Sequence, residues 1–156
     1  MKPRKTILFY ASFPRRSRDT ESTMVAFKNK GHRVLFLNQH HNAEFAKELR
    51  SKGIETFEFV PGASTGWWRH IKNIFYLVNF SWKHNVNIIF SHLEPASFIA
   101  VLAQYLIRAH VHVCRHHSDL YRLMKKDRDF SYGLIYRLAN SVVVVSNKAK
   151  EHMVKV

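Results

Sequence analysis

The stretch Val111 to Arg122, VHVCRHHSDLYR, carries an apolar run into Arg115, His116, His117, Ser118 and Asp119. Those residue types could ligate a metal, shuttle a proton or hold an anion. On an extended loop two adjacent histidine rings diverge, whereas metal ligation wants a spacing that aims both rings at one point, such as i, i+4 on a helix. No Cys or Asp/Glu set with that spacing accompanies them, and His40-His41 shares the defect. No metal and no cofactor is therefore expected. A histidine at the end of a strand serves better as a hydrogen-bond donor or general base near neutral pH. Asp119 could orient such a ring or cap the following helix, and the cap is the simpler role. Which of His116 and His117 faces a cleft is left open.

Three other short stretches offer polar groups. The loop SFPRRSRDTES contains Ser12, Phe13, Arg15, Arg16 and Arg18. It has no G-x-G-x-x-G, and the chain has no G-x-x-x-x-G-K-[ST], which disfavours nicotinamide and P-loop chemistry. Its arginines could meet a phosphate just before a helix start, where backbone donors favour anions, or they could form only a solvated basic loop. In Ser91-His-Leu-Glu-Pro95, His92 and Glu94 are candidates for the same cleft, although Glu94 has a helix start to support. Ser146 and Asn147 follow four valines, where N-capping is the simpler function for Ser146.

These residues become neighbours only if particular elements carry them. Apolar runs at Thr6–Ala11, Val34–Leu37, Ile54–Val60, Val86–Phe90, Val111–Cys114 and Ser141–Ser146 read as strands. Helical patterns lie between them. One runs from about Thr20 to Lys30 before Gly31, and a second is capped by Asn42, runs to Lys52 and stops at Gly53. The third spans Trp67 to Lys83. The fourth has Pro95 in its first turn and reaches about Ala109. The fifth spans Leu120 to Leu138, and a sixth starts near Lys148. Apolar strands alternating with helices predict an α/β domain: a Rossmann-like, doubly wound parallel β-sheet of about six strands, with helices on both faces. In such sheets ligands bind at the carboxyl ends of the strands, beside the topological switch point. All the candidate residues above fall on those ends.

Bulk composition bounds the partners. The chain has 156 residues, 46% hydrophobic and 23% charged, as expected of one globular domain. Its 25 Lys+Arg against 11 Asp+Glu give a formal charge of +14, which favours anionic partners. Cys114 is the single cysteine, so no disulfide can form within the chain and a reducing, cytoplasmic location is the simplest reading. No stretch approaches the roughly 20 apolar residues of a membrane span.

The Trp67–Lys83 helix admits two roles. Trp67, Ile71, Ile74, Phe75, Val78 and Trp82 form a stripe at helical spacing that is expected to pack on the sheet. Trp68, Leu77 and Phe80 fall outside it. With Arg69, Lys72 and Lys83 they would suit an interfacial helix at an anionic membrane surface. Packing alone is the plainer expectation.

Five segments in order resemble the N-terminal domain of GT-B-fold glycosyltransferases, in particular family 4, the group 1 retaining enzymes. They are KTILFYAS, FKNKGHRVLFL, HNVNIIFSH, VHVCRHHSD and ANSVVVVSNKAKEHMVK. The resemblance covers nearly the whole chain. It implies that residues 1–156 are the acceptor-side half of a two-domain transferase. A C-terminal domain, absent from this chain, would bind most of the nucleotide-sugar donor and carry an E-x7-E signature. It further implies retention of configuration, no metal requirement, and a glycan or lipid-linked acceptor of the kind used in cell-surface polysaccharide or glycolipid biosynthesis, at or near the inner face of a membrane. The family's cleft histidine would fall on His116, with His117 as the alternative. Many family members carry a Gly-Gly pair in the first loop; Arg15-Arg16 stand here instead, so phosphate contact through backbone amides at that loop is in doubt. The fragment alone is expected to be inactive.

Two other readings compete. A basic module binding nucleic acid has the charge but lacks any helix-turn-helix, RNA-recognition or zinc pattern, and no nucleic-acid partner is expected. Another nucleotide-sugar enzyme, such as an epimerase, would use the same architecture.

Overall fold

Short apolar runs without alternation bury both faces, and the chain provides for this by placing a helix after each of its first four strands. The structure is a computed structural model and describes residues 4–12, 16–59, 67–115, 135 and 137–144. Its elements are β1 (Thr6–Ala11), α1 (Arg18–Asn29), β2 (Arg33–Asn38), α2 (Ala43–Ser51), β3 (Glu55–Glu58), α3 (Trp67–Lys83), β4 (Ile88–His92), α4 (Glu94–Ala103), β5 (His110–Arg115) and β6 (Ser141–Val144). All strand pairs are parallel, in the order β3-β2-β1-β4-β5-β6. This is the doubly wound, Rossmann-like sheet predicted from the sequence. Its switch point lies between β1 and β4, where the order of winding reverses.

Two cores cover the two faces. On one, Ile7, Phe9, Val34 and Phe36 pack against Met24 of α1 and Phe45 and Leu49 of α2. On the other, Leu8, Tyr10, Leu35 and Ile89 pack against Leu77 and Phe80 of α3 and Ile99 and Ala103 of α4. Alternation along each strand sends one residue to each core.

Local chemistry sets the helix ends. The Asn42 side chain accepts a hydrogen bond from the Phe45 amide at 3.1 Å, the expected cap of α2. After α1 and α2 the chain turns through Gly31 (φ 83°) and Gly53 (φ 69°), the left-handed conformation that glycine adopts without strain. α4 ends at Ala103, six residues short of the expected Ala109. There the Gln104 side-chain Nε2 donates to the Leu138 carbonyl at 2.5 Å, and Ile107 turns back into the core.

The orientation of α3 corrects the sequence expectation. Leu77 and Phe80, placed outside the packing stripe, are buried, together with Asn73, Val78 and Ser81. Trp67, Phe75 and Trp82, placed inside it, are 63%, 58% and 60% exposed. Hydrophobicity singled out the bulkiest side chains as the core stripe. The face turned to the core instead carries Asn73, Leu77, Val78, Phe80 and Ser81.

β6 also departs from expectation. Its valine run makes a strand as expected, but its residues alternate between exposed and half-buried, with Val143 41% exposed at the sheet edge.

Candidate functional site

Register brings the strand ends into one row. Ala11 pairs with Asn38 on one side and His92 on the other; Asn38 pairs with Glu58, His92 with Cys114, and Cys114 with Val143. Ser12 and His92 thus flank the crevice at the switch point, where a parallel sheet binds its ligands. Of the other predicted site residues, Phe13, Arg15, His116, His117, Asp119, Ser146 and Asn147 lie outside the described residues. Glu94 opens α4, the bland role weighed for it.

Ser12 is buried, and its hydroxyl lies 3.0 Å from Nε2 of His40, which is exposed at the end of β2. The β2–α2 connection is fastened from its far side. The Glu58 carboxylate accepts from His41 Nδ1 at 2.5 Å and from the Asn42 amide at 3.0 Å. Burial works against the Glu58 charge, but the Asn42 amide and the His41 ring together bring its carboxyl below the ordinary range. Behind them Gln39 donates to the buried Tyr10 hydroxyl. Residues 39–42 are therefore held from β1 and from β3, with the His40 ring projecting between them. The sequence weighed His40-His41 only as a metal pair. Their position directly after a strand beside β1 was the available signal for this role.

His92 is 4% exposed, with its ring stacked on Phe9 at a centroid distance of 5.7 Å. The ring is packed in the interior at the carboxyl end of β4 and does not reach freely into solvent. The next residue, Leu93, adopts φ 67°, ψ 157° in the turn into α4. A non-glycine residue there stores roughly 1–3 kcal/mol of strain, a feature that gathers at functional sites.

Arg16, a phosphate candidate in the sequence, is engaged elsewhere. Its guanidinium pairs with Glu21 at 2.8 Å and Glu48 at 2.7 Å, and Lys52 bonds the same two carboxylates. This cluster ties the start of α1 to the end of α2 and satisfies the buried Glu21. Among the described residues no group of three or more His, Cys, Asp or Glu could hold a metal ion. Nor is any described helix long and apolar enough to cross a membrane.

The sequence profile of Glycosyltransferase Family 4 matches residues 20–156. No curated protein sequence matches the chain significantly. Among solved structures, Anabaena Alr3699/HepE in complex with UDP and glucose superposes with a TM-score of 0.76 at 15% identity, covering 97% of this chain and 41% of that one. A glycosyltransferase from Rickettsia africae gives 0.71 at 18% identity, covering 97% and 39%. The UDP-GlcNAc 2-epimerase of Methanocaldococcus jannaschii gives 0.62 at 10%, covering 97% and 42%. The chain thus spans about two-fifths of the length of the structures it matches, and the likeness extends through its whole sheet.

Proposed function

The chain belongs to Glycosyltransferase Family 4, and from that premise we propose that it is the acceptor-side half of an enzyme moving a sugar from a nucleotide-sugar to a glycan or lipid-linked acceptor. The observation that carries this reading is the family match over residues 20–156, on a parallel sheet whose carboxyl edge carries Ser12 and His92 beside the switch point. The donor would be held mainly by a second domain beyond these residues. The Anabaena neighbour, solved with UDP and glucose, supports a nucleotide-sugar donor. Transfer would retain configuration and need no metal, and a lipid-linked acceptor would bring the chain to the inner face of a membrane.

His116 is the residue proposed for the chemistry, acting on the transferred sugar or the acceptor hydroxyl, with His117 as the alternative. In the complete protein His116→Ala should lower turnover by about 10²-fold or more, the scale of a positioned proton-transfer group, while the circular dichroism spectrum and melting temperature stay unchanged. Sugar transfer at the normal rate by that variant would remove His116 from the mechanism. Product formation undiminished in EDTA is expected, and loss of activity there would overturn the metal-free reading.

A second reading has one observation in its favour: epimerases acting on UDP-GlcNAc share the fold over 97% of the chain. Product analysis separates the two, since an epimerase returns a rearranged nucleotide-sugar with no acceptor present.

A further inference from the structure

All three tryptophans of the chain lie on α3, and all three are more than half exposed, Trp67 63%, Trp68 68% and Trp82 60%, with Phe75 at 58%. Single exposed apolar residues are ordinary. These are aligned: Trp68, Phe75 and Trp82 recur every seventh residue, which at 100° per residue confines them to an arc of about 40° along roughly 21 Å of helix. Exposed Lys72 and Lys83 border the file, Arg69 is exposed at its start, and α3 has no acidic residue. The opposite side of the helix is satisfied by the core, where Leu77 and Phe80 are buried. Past the helix end the surface continues. Trp82 walls a cleft of about 540 Å³ with Leu106, Ile107 and Arg108, beside Tyr105, which is 69% exposed.

We propose that this face of α3 docks flat on an anionic bilayer, with Trp68, Phe75 and Trp82 at the headgroup–acyl boundary and Lys72, Lys83 and Arg108 on the lipid phosphates. Charge complementarity selects this occupant. A bordered aromatic file on a helix without carboxylates, in a chain of +14, meets the requirements of an interfacial helix at a negative surface. At 17 residues with internal cations, α3 lies on a membrane and does not span it.

The fold adds an orientation. α3 returns from the carboxyl edge of the sheet to its amino edge, so Trp68 sits at the edge bearing Ser12 and His92, and Trp82 at the far one. If the whole file touches lipid, the strands lie along the bilayer plane and the switch-point crevice opens sideways at headgroup level. This deepens the sugar-transfer reading by naming the surface that presents the acceptor. Its test needs no turnover, so the two can fail separately.

The probe is co-flotation of this chain with phosphatidylcholine vesicles, without and with about 30% phosphatidylglycerol. Binding is expected to the anionic vesicles alone, with a blue-shifted tryptophan emission that reports only on α3. Lys72→Glu with Lys83→Glu should weaken it by about tenfold or more. Trp68→Ser, Phe75→Ser and Trp82→Ser together should do the same, with an unchanged circular dichroism spectrum because none of the three is in the core. In Trp67→Phe variants retaining only Trp68 or only Trp82, brominated lipid should quench both to similar depth. Equal or absent binding to the two vesicle types, or binding unaffected by the triple variant, overturns the proposal. So does a dimer that the triple variant dissociates in the absence of any vesicle binding, or capture by random oligonucleotides that vesicles cannot displace. Quenching of Trp68 alone overturns the flat orientation.

Discussion

The Ser12 hydroxyl and the His40 imidazole meet at 3.0 Å across the ends of two neighbouring strands, a buried oxygen against an exposed ring. Either can donate, so the pair offers an incoming hydroxyl one fixed donor or acceptor beside the crevice. In the complete enzyme His40→Ala should raise the acceptor KM about three- to tenfold, the worth of one hydrogen bond, and leave donor binding unchanged. Initial-rate kinetics with each substrate varied would check it. An unaltered acceptor KM would remove the pair from recognition.

Glu21 is 6% exposed and bonded by Arg16 and Lys52. Lys52 foremost, against the opposing effect of burial, and then Arg16 hold its carboxyl below the ordinary range. A depressed carboxyl stabilises the fold above the ordinary carboxylate pKa, and that stability is lost as pH falls through the lower folded value. Glu21→Gln should therefore cost about 1–3 kcal/mol at neutral pH in urea denaturation, and the difference from wild type should shrink below about pH 4. A gap that persists at pH 3 would assign the loss to packing.

Histidines set a second, milder pH window. Burial first, then Arg69 for His70, Arg33 and Lys83 for His84, and His110 for His112, holds all three imidazoles below their ordinary value. The unfolded chain takes up protons on these sites first. Stability is therefore full above the ordinary imidazole pKa of about 6.5 and declines as pH falls from there through the folded values. Melting temperature should drop between pH 7 and about pH 5.5, and replacing the three by glutamine should flatten that drop. An equally steep decline in the triple variant would count against it.

Cys114 ends the buried run of β5 at 7% exposure, where burial pushes its thiol up to about 12. The thiolate is the reactive form. Ellman's reagent at pH 8 should modify the native chain far more slowly than the chain in urea, with a native rate set by opening of the sheet. Rapid labelling of the folded protein would contradict the burial of β5.

Sheet and helices were largely legible because β1, β2, β4 and β6 are built on short apolar runs and the turns carry chemical marks such as Asn42, Gly31 and Gly53. The face of α3 was not legible from hydrophobicity. The buried face of Trp67–Lys83 takes in the polar Asn73 and Ser81 and leaves Trp67, Phe75 and Trp82 outside, so side-chain hydrophobicity does not tell inside from outside. The Arg16–Glu21–Glu48–Lys52 cluster escaped for another reason: its members come from two helices whose adjacency follows only from the sheet order. Ser12 follows β1 and His92 ends β4, positions that follow from the sequence because a parallel sheet leaves little freedom in where its carboxyl edge lies.

The pairing of β1 with β4 has a consequence for the order in which the protein is made. β1 gains β2 as soon as residues 33–38 leave the ribosome, but its other edge waits for residues 88–92. Until then the strand Ile7–Ala11 at the future centre of the sheet is an open edge, able to template pairing with other chains. The Thr6 amide, which bonds the Asn87 side chain at 2.8 Å, marks where that wait ends. Nascent chains stopped before Ile88 should stay sensitive to protease throughout, and those reaching past Arg115 should become protected.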